Sequence, residues 1–451
     1  VVSVLVLPFI TEFLTPEDYG IYGIITAYMA SLVAFSILGM NVVFYNSYIK
    51  HPYHFKKIWN QLYGFLILWA LIYALIQFLF LYFLIPEEAA HNKYIILFLL
   101  IVPTVFFGPI SSIAMLYYQV KEKPSPITIR SIASALIVIF LNVVFIRYYK
   151  MGYMGWFYAT FISTMLWNAS YWYPMYKKGF RPNFKFKKRL IKKSLKVSLP
   201  TIVHYYGGFL LGTSNKLVME NVGVKISEIG QYDFAARIAG YGDAISIAMG
   251  QALGPMIAKE YKNNKQHIAL LLIRIMQITI FTLTFLISIW SKEIVDILMK
   301  NPSLKDCYYI VIILLMSYNY KPMYIASTSV VFYLEKTHKL WKISFIAGLI
   351  SIGLNFIIIP EYGIFGAAIV YFISTTYIGY SGFFISNFKL FSKQNYKYYT
   401  TFSVILVATV SAYFLVDQNI LVKIMTTSLT SIISLYLLRK YYFLINREIV
   451  I

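Results

Sequence analysis

Cysteine and histidine are scarce in this sequence of 451 residues, which has one cysteine, Cys307, and six scattered histidines. A single cysteine excludes an internal disulfide framework, a thiolate metal cluster and a CxxC redox pair. His51 and His54 share one predicted loop, but the sequence offers no third metal ligand beside them. We therefore predict neither a metal site nor a cofactor.

Charged residues are also scarce. They make up 13% of the chain and hydrophobic residues 59%, against roughly 25% and 45–50% in an average soluble protein. No polar linker divides the chain into soluble domains that could bury so much apolar surface. Lipid is the alternative solvent, and an aromatic content of 18% suits a chain that crosses many membrane interfaces. The composition predicts an all-α polytopic membrane protein.

Apolar runs of about 20 residues, long enough to cross a bilayer as helices, recur along the chain. We predict fourteen spans, near residues 1–13, 20–45, 60–85, 94–118, 131–146, 153–173, 197–219, 231–257, 268–290, 307–334, 343–359, 364–386, 398–416 and 420–438. The first span is too short to cross, and the chain begins with Val1 rather than Met. We therefore expect the natural sequence to continue upstream.

The formal net charge of +22 lies mainly in alternate loops. Loops after even-numbered spans and the C-terminal tail hold 28 of the 40 Lys and Arg residues, whereas loops after odd-numbered spans hold 7. Because cytoplasmic loops carry the excess of Lys and Arg, this alternation predicts that both termini are cytoplasmic. Topology accounts for the positive charge, so we expect no nucleic-acid partner.

The sequence repeats itself at an offset of 210 to 213 residues. The motifs Gly20-x-Tyr22, Glu122-Lys123, Leu141-Asn142 and Gly152-x-x-Gly155 recur as Gly230-x-Tyr232, Glu335-Lys336, Leu354-Asn355 and Gly363-x-x-Gly366. We infer a duplicated unit of six spans, and because six is even, the repeat is parallel, with its axis along the membrane normal. This predicts an N-terminal lobe over 1–175, a C-terminal lobe over 197–386 and an accessory helix pair over 398–438.

A basic linker, residues 176–196, joins the two predicted lobes. It holds 10 Lys and Arg residues. Two interpretations stay open for it: a solvated cytoplasmic loop that holds the topology, or a surface helix that lies on anionic lipid.

Four stretches resemble a known family. They are LTPEDYGIYGI (14–24), SLPTIVHYY (198–206), IGQYDFAARIA (229–239) and LNFIIIPEYGIFGAAIVYFIS (354–374). In them the chain resembles the oligosaccharide and polysaccharide flippases (Wzx-like) of the multidrug/oligosaccharidyl-lipid/polysaccharide (MOP) exporter superfamily. These motifs consist of turn and packing residues, which indicate the fold more strongly than the substrate.

The resemblance implies a transporter in the bacterial inner membrane rather than an enzyme. Its cargo would be a polyprenyl-pyrophosphate-linked oligosaccharide, moved from the inner to the outer leaflet by alternating access for cell-surface polysaccharide such as O-antigen or capsule. A cleft between the lobes would hold the polar head while the tail stays in the bilayer. Membrane lipids, a polysaccharide polymerase and glycosyltransferases are the implied partners.

Such a cavity should carry cations for the phosphates, because a charge inside the membrane is costly and usually faces a cavity. The predicted spans of the second lobe hold Lys216, Arg237, Arg274 and Lys321, together with His204, which can donate to an anion. We predict these residues as the substrate-binding set. Lys321 lies near the middle of its span, with no easy reach to either surface.

Structural roles stay open for the other members of this set. Arg237 is four residues after Asp233, so the two can pair on one helix face. Lys216 can snorkel outward and Arg274 inward, and His204 can be a packing residue. A further cation, Lys423, lies near the outer interface, where we expect it to snorkel.

Three acidic residues, Asp243, Asp233 and Glu12, are candidates for coupling transport to protons or sodium ions. Asp243 lies roughly in the middle of span 8 and has no Lys or Arg four residues away. Glu12 lies near the outer end of the first span. The alternative for each acid is pairing with a cation, including one on another helix.

Three other functions stay open. A multidrug or cation antiporter of the same superfamily should have an acidic cavity, whereas the charges within these spans are net basic. A lipid II flippase should carry arginines in the first lobe, whose visible spans have no Lys or Arg. A membrane glycosyltransferase or polymerase should have large outer loops, and the predicted outer loops are short.

Overall fold

The structure, a computed structural model, describes residues 6–333, 340–385, 388, 391–392 and 394–450. Throughout these residues the regular secondary structure is helical, with no strand. The predicted all-α class is confirmed. The chain divides into two compact units, Val1–Phe209 and Leu210–Ile451.

Among the described residues, the first unit contains seven complete helices and most of an eighth. In chain order they are α1 (Leu7–Ile10), α2 (Pro16–Val33), α3 (Asn41–Lys50), α4 (Phe55–Leu84), α5 (Lys93–Val120), α6 (Ser125–Asn142), α7 (Tyr153–Lys177) and α8 (Lys188–Gly212). The division between the units falls inside α8. The lobe boundaries drawn from the sequence, 1–175 and 197–386, stay a prediction.

The second unit continues with longer helices. They are α9 (Ser214–Asn221), α10 (Ile226–Lys262), α11 (Gln266–Ile289), α12 (Ser291–Leu298), α13 (Tyr308–Ser317), α14 (Lys321–Tyr333), α15 (Leu340–Ser381), α16 (Tyr398–Leu415) and α17 (Ile420–Val450). A short 3-10 segment, Tyr318–Tyr320, links α13 to α14 immediately before Lys321 and Pro322. Proline removes a helix hydrogen bond, and Pro322 lies directly after this interruption.

Seven helical segments among the described residues are long and apolar enough to cross a membrane. They are Phe55–Leu84, Glu87–Val120, Ser125–Tyr148, Gln266–Ile289, Lys342–Phe384, Tyr398–Leu415 and Ile420–Asn446. Each coincides with a predicted span, and Lys342–Phe384 contains two. Predicted spans 2, 6, 7, 8 and 10 are also helical, but they are more polar or interrupted. Most of the predicted site residues lie on these more polar helices.

The second predicted span, 20–45, is wrong as a single helix. α2 begins at Pro16 with a capping box, in which Thr15 and Asp18 exchange hydrogen bonds, and it ends at Val33. Between α2 and α3, Leu38 and Gly39 have φ values of 51° and 65°, which break a right-handed helix. A Cβ on Gly39 would lie 2.6 Å from the Ser198 carbonyl oxygen, so α8 packs against the break.

The predicted repeat is visible in the backbone of each unit. Gly152 and Gly363 both have φ 53° and ψ −136°, a conformation open mainly to glycine. Asp18 accepts a hydrogen bond of 2.7 Å from the backbone N–H of Tyr153. Its counterpart at the offset of 210 is Glu228, whose Oε2 would lie 3.9 Å from a Cβ on Gly363. An acidic residue therefore lies beside the same glycine turn in both copies.

Asn142 and Asn355 also match, because the side-chain Oδ1 of each is buried without a hydrogen-bond partner in the described structure. The repeat motif Glu335-Lys336 lies outside the described residues.

The packing of α14 positions Lys321. Met323, Ala326 and Val330, at the spacing of one helix face, are buried in a core cluster with residues of α10 and α11. This face fixes the rotation of α14 about its axis. Lys321 is consequently on a different face, which borders a pocket.

Candidate functional site

A pocket of about 760 Å³ lies between α10 and α14 in the second unit. Its lining residues are Ser246, Ile247, Gly250, Gln251, Gly254, Pro255, Ala258, Tyr320, Lys321, Tyr324, Ile325, Thr328 and Ser329. Gly250 and Gly254 present no side chain, and a Cβ on Gly254 would meet nothing within 4 Å. The sequence pattern Gly250-x-x-x-Gly254 suggests close helix packing. In the structure Gly254 faces open space, so it does not contribute a close contact of this kind.

Lys321 forms an ion pair with Asp243 across the two helices. Its Nζ contacts Asp243 Oδ1 and lies 5.8 Å from the ring centroid of Tyr318. The side chains of Lys321 and Asp243 are 16% and 28% exposed. The structure thus joins the predicted substrate cation to the predicted coupling acid, and each offsets part of the other's desolvation cost.

A second charge cluster joins Lys216 of α9 to Asp233 and Arg237 of α10. Arg237 Nε donates to Asp233 Oδ2 at 2.6 Å, which confirms the predicted pair at a spacing of four residues. Lys216 donates to Asp233 Oδ1, so its head group turns to this carboxylate. The Asp233 side chain is only 3% exposed. The Asp233 carboxylate is therefore shared by two cations.

A buried network of neutral side chains adjoins this charge cluster. Asn355 Nδ2 donates to Asn215 Oδ1 at 2.8 Å, and Asn215 Nδ2 donates to the Tyr232 hydroxyl at 3.1 Å. Asn215 and Tyr232 are sequence neighbours of Lys216 and Asp233. These bonds hold α9, α10 and α15 in a fixed register around the ions.

Arg274 lies in a different pocket, of about 490 Å³, between α11, α16 and α17. Its guanidinium donates to Gln277 Oε1 at 2.9 Å, to the Tyr396 carbonyl at 2.7 Å and to Thr401 Oγ1 at 3.4 Å. The predicted cations therefore do not line one pocket: Lys321, the pair Lys216 and Arg237, and Arg274 occupy three places. Whether they bind substrate stays a prediction.

The remaining predicted residues lie elsewhere. His204 is in α8, and its side chain is outside the part of the chain that the structure describes. Glu12 is exposed in the 3-10 segment after α1, in the first unit. Lys423 is 1% exposed and contacts Glu293 Oε1 at 2.5 Å, so the expected snorkelling to solvent is wrong.

The first unit has a pocket of its own, of about 440 Å³, between α2, α4 and α5. Its described lining residues are Thr26, Met29, Ala30, Val33, Ser36, Ile37, Ala70, Tyr73, Gln77, Thr104, Gly108, Pro109, Ser111 and Ser112, none of them charged. Sequence analysis missed this pocket. The repeat offsets were the available signal, because they make Ser36, Ile37 and Pro109 the sequence counterparts of Ser246, Ile247 and Pro322.

Solved structures with the same arrangement of helices are membrane transporters. The lipid II flippase MurJ in an inward closed conformation is 14% identical, with a TM-score of 0.74 over 99% of this chain and 97% of that one. An inward-facing multidrug resistance MATE family transporter of the MOP superfamily is 15% identical, with a TM-score of 0.66 over 90% and 94%. The MATE transporter VcmN of Vibrio cholerae is 14% identical, with a TM-score of 0.53 over 88% and 100%.

At these identities the likeness shows the fold alone, which this chain shares with these transporters. A model of the polysaccharide biosynthesis protein family matches residues 1–260, more than half of the chain. The chain belongs to this family. Three of the four stretches that carry the sequence resemblance lie inside the match, and the resemblance is confirmed. Among curated protein sequences, none matches this chain.

Proposed function

We propose that this protein is a flippase that moves a polyprenyl-pyrophosphate-linked oligosaccharide from the inner to the outer leaflet of the bacterial inner membrane. The family match supports a role in polysaccharide assembly, and the fold supports transport. The observation that carries the proposal is Lys321 beside a pocket of about 760 Å³ within the predicted spans. A pyrophosphate cannot cross about 30 Å of hydrocarbon unaided, and such a pocket offers its head group an alternative to water.

The lining of this pocket suits a sugar phosphate. Lys321 supplies positive charge, while Ser246, Gln251 and Thr328 supply hydroxyl and amide groups that hydrogen-bond sugar hydroxyls. Tyr320 and Tyr324 add aromatic faces. The predicted spans of the second unit hold more cations than acids, which favours an anionic cargo over an organic cation. This argues against the multidrug antiporter alternative.

Coupling to an ion follows from the pair of Lys321 and Asp243. A pyrophosphate that binds Lys321 competes with Asp243 for the same ammonium group. The displaced carboxylate is then a site for a proton or a sodium ion, and alternating access would carry both charges through the cycle. In this proposal Asp243 serves as the coupling acid, while Asp233 is held by two cations in a structural cluster.

The test is transport by purified protein in liposomes. A labelled polyprenyl-pyrophosphate-linked oligosaccharide in one leaflet should move to the other at a rate far above that of protein-free vesicles. Lipid II and an organic cation in parallel vesicles distinguish the alternatives. Export of the cation, with the lipid-linked sugar left unmoved, would replace this proposal by the antiporter. Faster movement of lipid II than of other lipid-linked sugars would assign the lipid II flippase function.

A further inference from the structure

Arg274 differs from the other intramembrane cations in its partners. Lys216, Arg237, Lys321 and Lys423 each contact a carboxylate. The described partners of Arg274 are all neutral: an amide oxygen, a backbone carbonyl and a hydroxyl. A charge within a span is costly without a counter-ion. Its position therefore favours an anion that comes from outside the protein.

A second donor lies beside the Arg274 guanidinium. Gln277 accepts from Arg274 through Oε1, which turns its Nε2 amide group away, and that Nε2 is buried without an acceptor in the described structure. A buried donor left without an acceptor costs about 1–3 kcal/mol. An anion at this end of the pocket can accept from Arg274 and from Gln277 together.

The pocket around Arg274 is a groove with one polar end and one apolar end. Arg274 of α11, Lys397 before α16 and Tyr441 of α17 line one end, and Phe285, Ile405 and Ile433 of the same three helices lie further along. Two polar side chains in the apolar part bond within the protein: Asn319 donates to Thr284 at 2.9 Å, and Ser434 accepts from Thr282 at 2.6 Å. The groove is thus cationic at one end and mainly apolar at the other, which matches the anionic headgroup and the acyl chain of a lipid.

The groove also has the length and the depth of a lipid in the cytoplasmic leaflet. From Arg274 to Phe285, α11 rises by about 16 Å, close to half of the roughly 30 Å hydrocarbon core. Lys397 and Tyr441 adjoin loops that the charge distribution predicts to be cytoplasmic. The cationic end consequently lies at the headgroup level of the inner leaflet.

We propose that this groove binds one anionic glycerophospholipid of the cytoplasmic leaflet. Its phosphate accepts hydrogen bonds from Arg274 and Gln277, with Lys397 as a further positive charge, and one acyl chain lies along Phe281, Phe285 and Ile405. The lipid stays bound and fills the groove between α11, α16 and α17. The inference does not depend on the identity of the transported cargo.

A second groove provides a matched comparison. It has a volume of about 360 Å³, and its lining is Ile313, Ile369, Phe372, Leu406, Thr409, Val410, Tyr413 and Phe414. It shares α16 with the first groove, but its described lining includes no cation. We expect it to accept acyl chains of any membrane lipid without regard to headgroup charge.

The test is native mass spectrometry of the delipidated full-length protein, titrated with phosphatidylglycerol or with phosphatidylcholine of the same acyl chains. We expect one phosphatidylglycerol to bind at least about tenfold more tightly than phosphatidylcholine, because the two share the phosphate but Arg274 and Lys397 repel the choline cation of phosphatidylcholine. Arg274→Gln should remove this preference, and Arg274→Lys should retain part of it. The matched control is Arg130→Gln, since Arg130 also bonds only neutral described groups, Ser170 and Pro126, but lies outside the groove.

A variant at the apolar end keeps the test decisive if Arg274→Gln does not fold. Ile405→Trp should fill the groove and abolish binding with all charges intact, whereas Val410→Trp in the second groove should leave the phosphatidylglycerol preference unchanged. Equal binding of both phospholipids, or wild-type binding by folded Arg274→Gln or Ile405→Trp, would overturn the proposal. Displacement of phosphatidylglycerol by polyprenyl phosphate at lower concentration would do so as well, because the groove would then belong to the cargo.

Discussion

The pockets of the two units occupy the same place in the repeated sequence and differ in charge. Ser36 and Ile37 of the first unit correspond to Ser246 and Ile247 of the second at the offset of 210, and Pro109 corresponds to Pro322 at 213. By the same offsets, Val33 stands in place of Asp243 and Gly108 in place of Lys321. The ion pair of the second unit is therefore replaced by an aliphatic side chain and a glycine.

This difference distinguishes features that both units share, which serve folding, from features of one unit, which are candidates for function. Both units keep the glycine turn at Gly152 and Gly363 with identical backbone angles, so the turn belongs to the scaffold. Of the two pockets' described linings, only that of the second unit includes a charged residue, Lys321, which pairs with Asp243 at a desolvation cost that packing alone does not require. Under the proposed flippase function, we expect the second unit to hold the charged part of the cargo.

The largest expected effect tests whether the ion pair serves transport or only folding. Lys321→Ala should lower the flipping rate at least about 30-fold, since losing a charged partner of a buried anion costs roughly 2–5 kcal/mol. Asp243→Ala alone should leave Lys321 unpaired and lower membrane abundance. Removing both charges replaces a buried pair, which is often neutral for stability. The double variant should therefore regain abundance without regaining transport.

Flipping rates in vesicles and membrane abundance, measured together, decide this test. Lys305→Ala is the matched control, because Lys305 forms an exposed pair with Asp296 at 2.9 Å. Recovery of both abundance and transport in the double variant would show that the pair is structural and that other groups hold the cargo.

The second expected effect concerns the cluster of Lys216, Asp233 and Arg237, whose counterparts in the first unit are uncharged. Asp233→Ala should leave two neighbouring cations without their carboxylate and lower the free energy of unfolding by roughly 3–5 kcal/mol. Lys216→Ala and Arg237→Ala should each cost less, because Asp233 keeps one partner. Thermal denaturation in detergent measures all three. Equal losses in the three variants would contradict a shared carboxylate.

Sequence alone predicted the fold class, the repeat and the identity of the intramembrane charges. It did so because helix hydropathy, loop charge and glycine spacing are local signals. The pairing of Lys321 with Asp243 and of Lys216 with Asp233 could not be derived in this way, since it depends on how separate helices pack. The break at Leu38 and Gly39 was also missed, because its stretch is as apolar as a continuous span.

A smaller expected effect tests the equivalence of the two glycine turns. Alanine at Gly152 or Gly363 should cost about 1–3 kcal/mol, because φ 53° with ψ −136° is strained for a residue with a Cβ. Gly152→Ala should be the more harmful, since its Cβ would lie 2.5 Å from Asp18 Oδ1, against 3.9 Å from Glu228 Oε2 at Gly363. Melting temperatures of the two variants provide the measurement. A harmless Gly152→Ala variant would contradict the observed turn.

The smallest expected effect is a pH dependence at an exposed polar cluster of the second unit. Hydrogen bonds from Lys292 at 2.6 Å and from Tyr309 at 2.5 Å lower the pKa of Asp417. A lowered pKa in the folded state adds stability above the unfolded value of about 3.9, and this gain disappears as the pH falls through the folded value. Because Lys292 and Asp417 are 42% and 37% exposed, the gain should stay below about 1 kcal/mol. Asp417→Asn should therefore lower the melting temperature slightly at pH 7, and this loss should shrink as the pH falls below about 3.9. The buried Lys423 and Glu293 pair provides the contrast, since Lys423→Met should lower the melting temperature at pH 7 by more than Asp417→Asn does. A larger fall in melting temperature from Asp417→Asn than from Lys423→Met would show that the more exposed ion pair is the more stabilising one, contrary to this prediction.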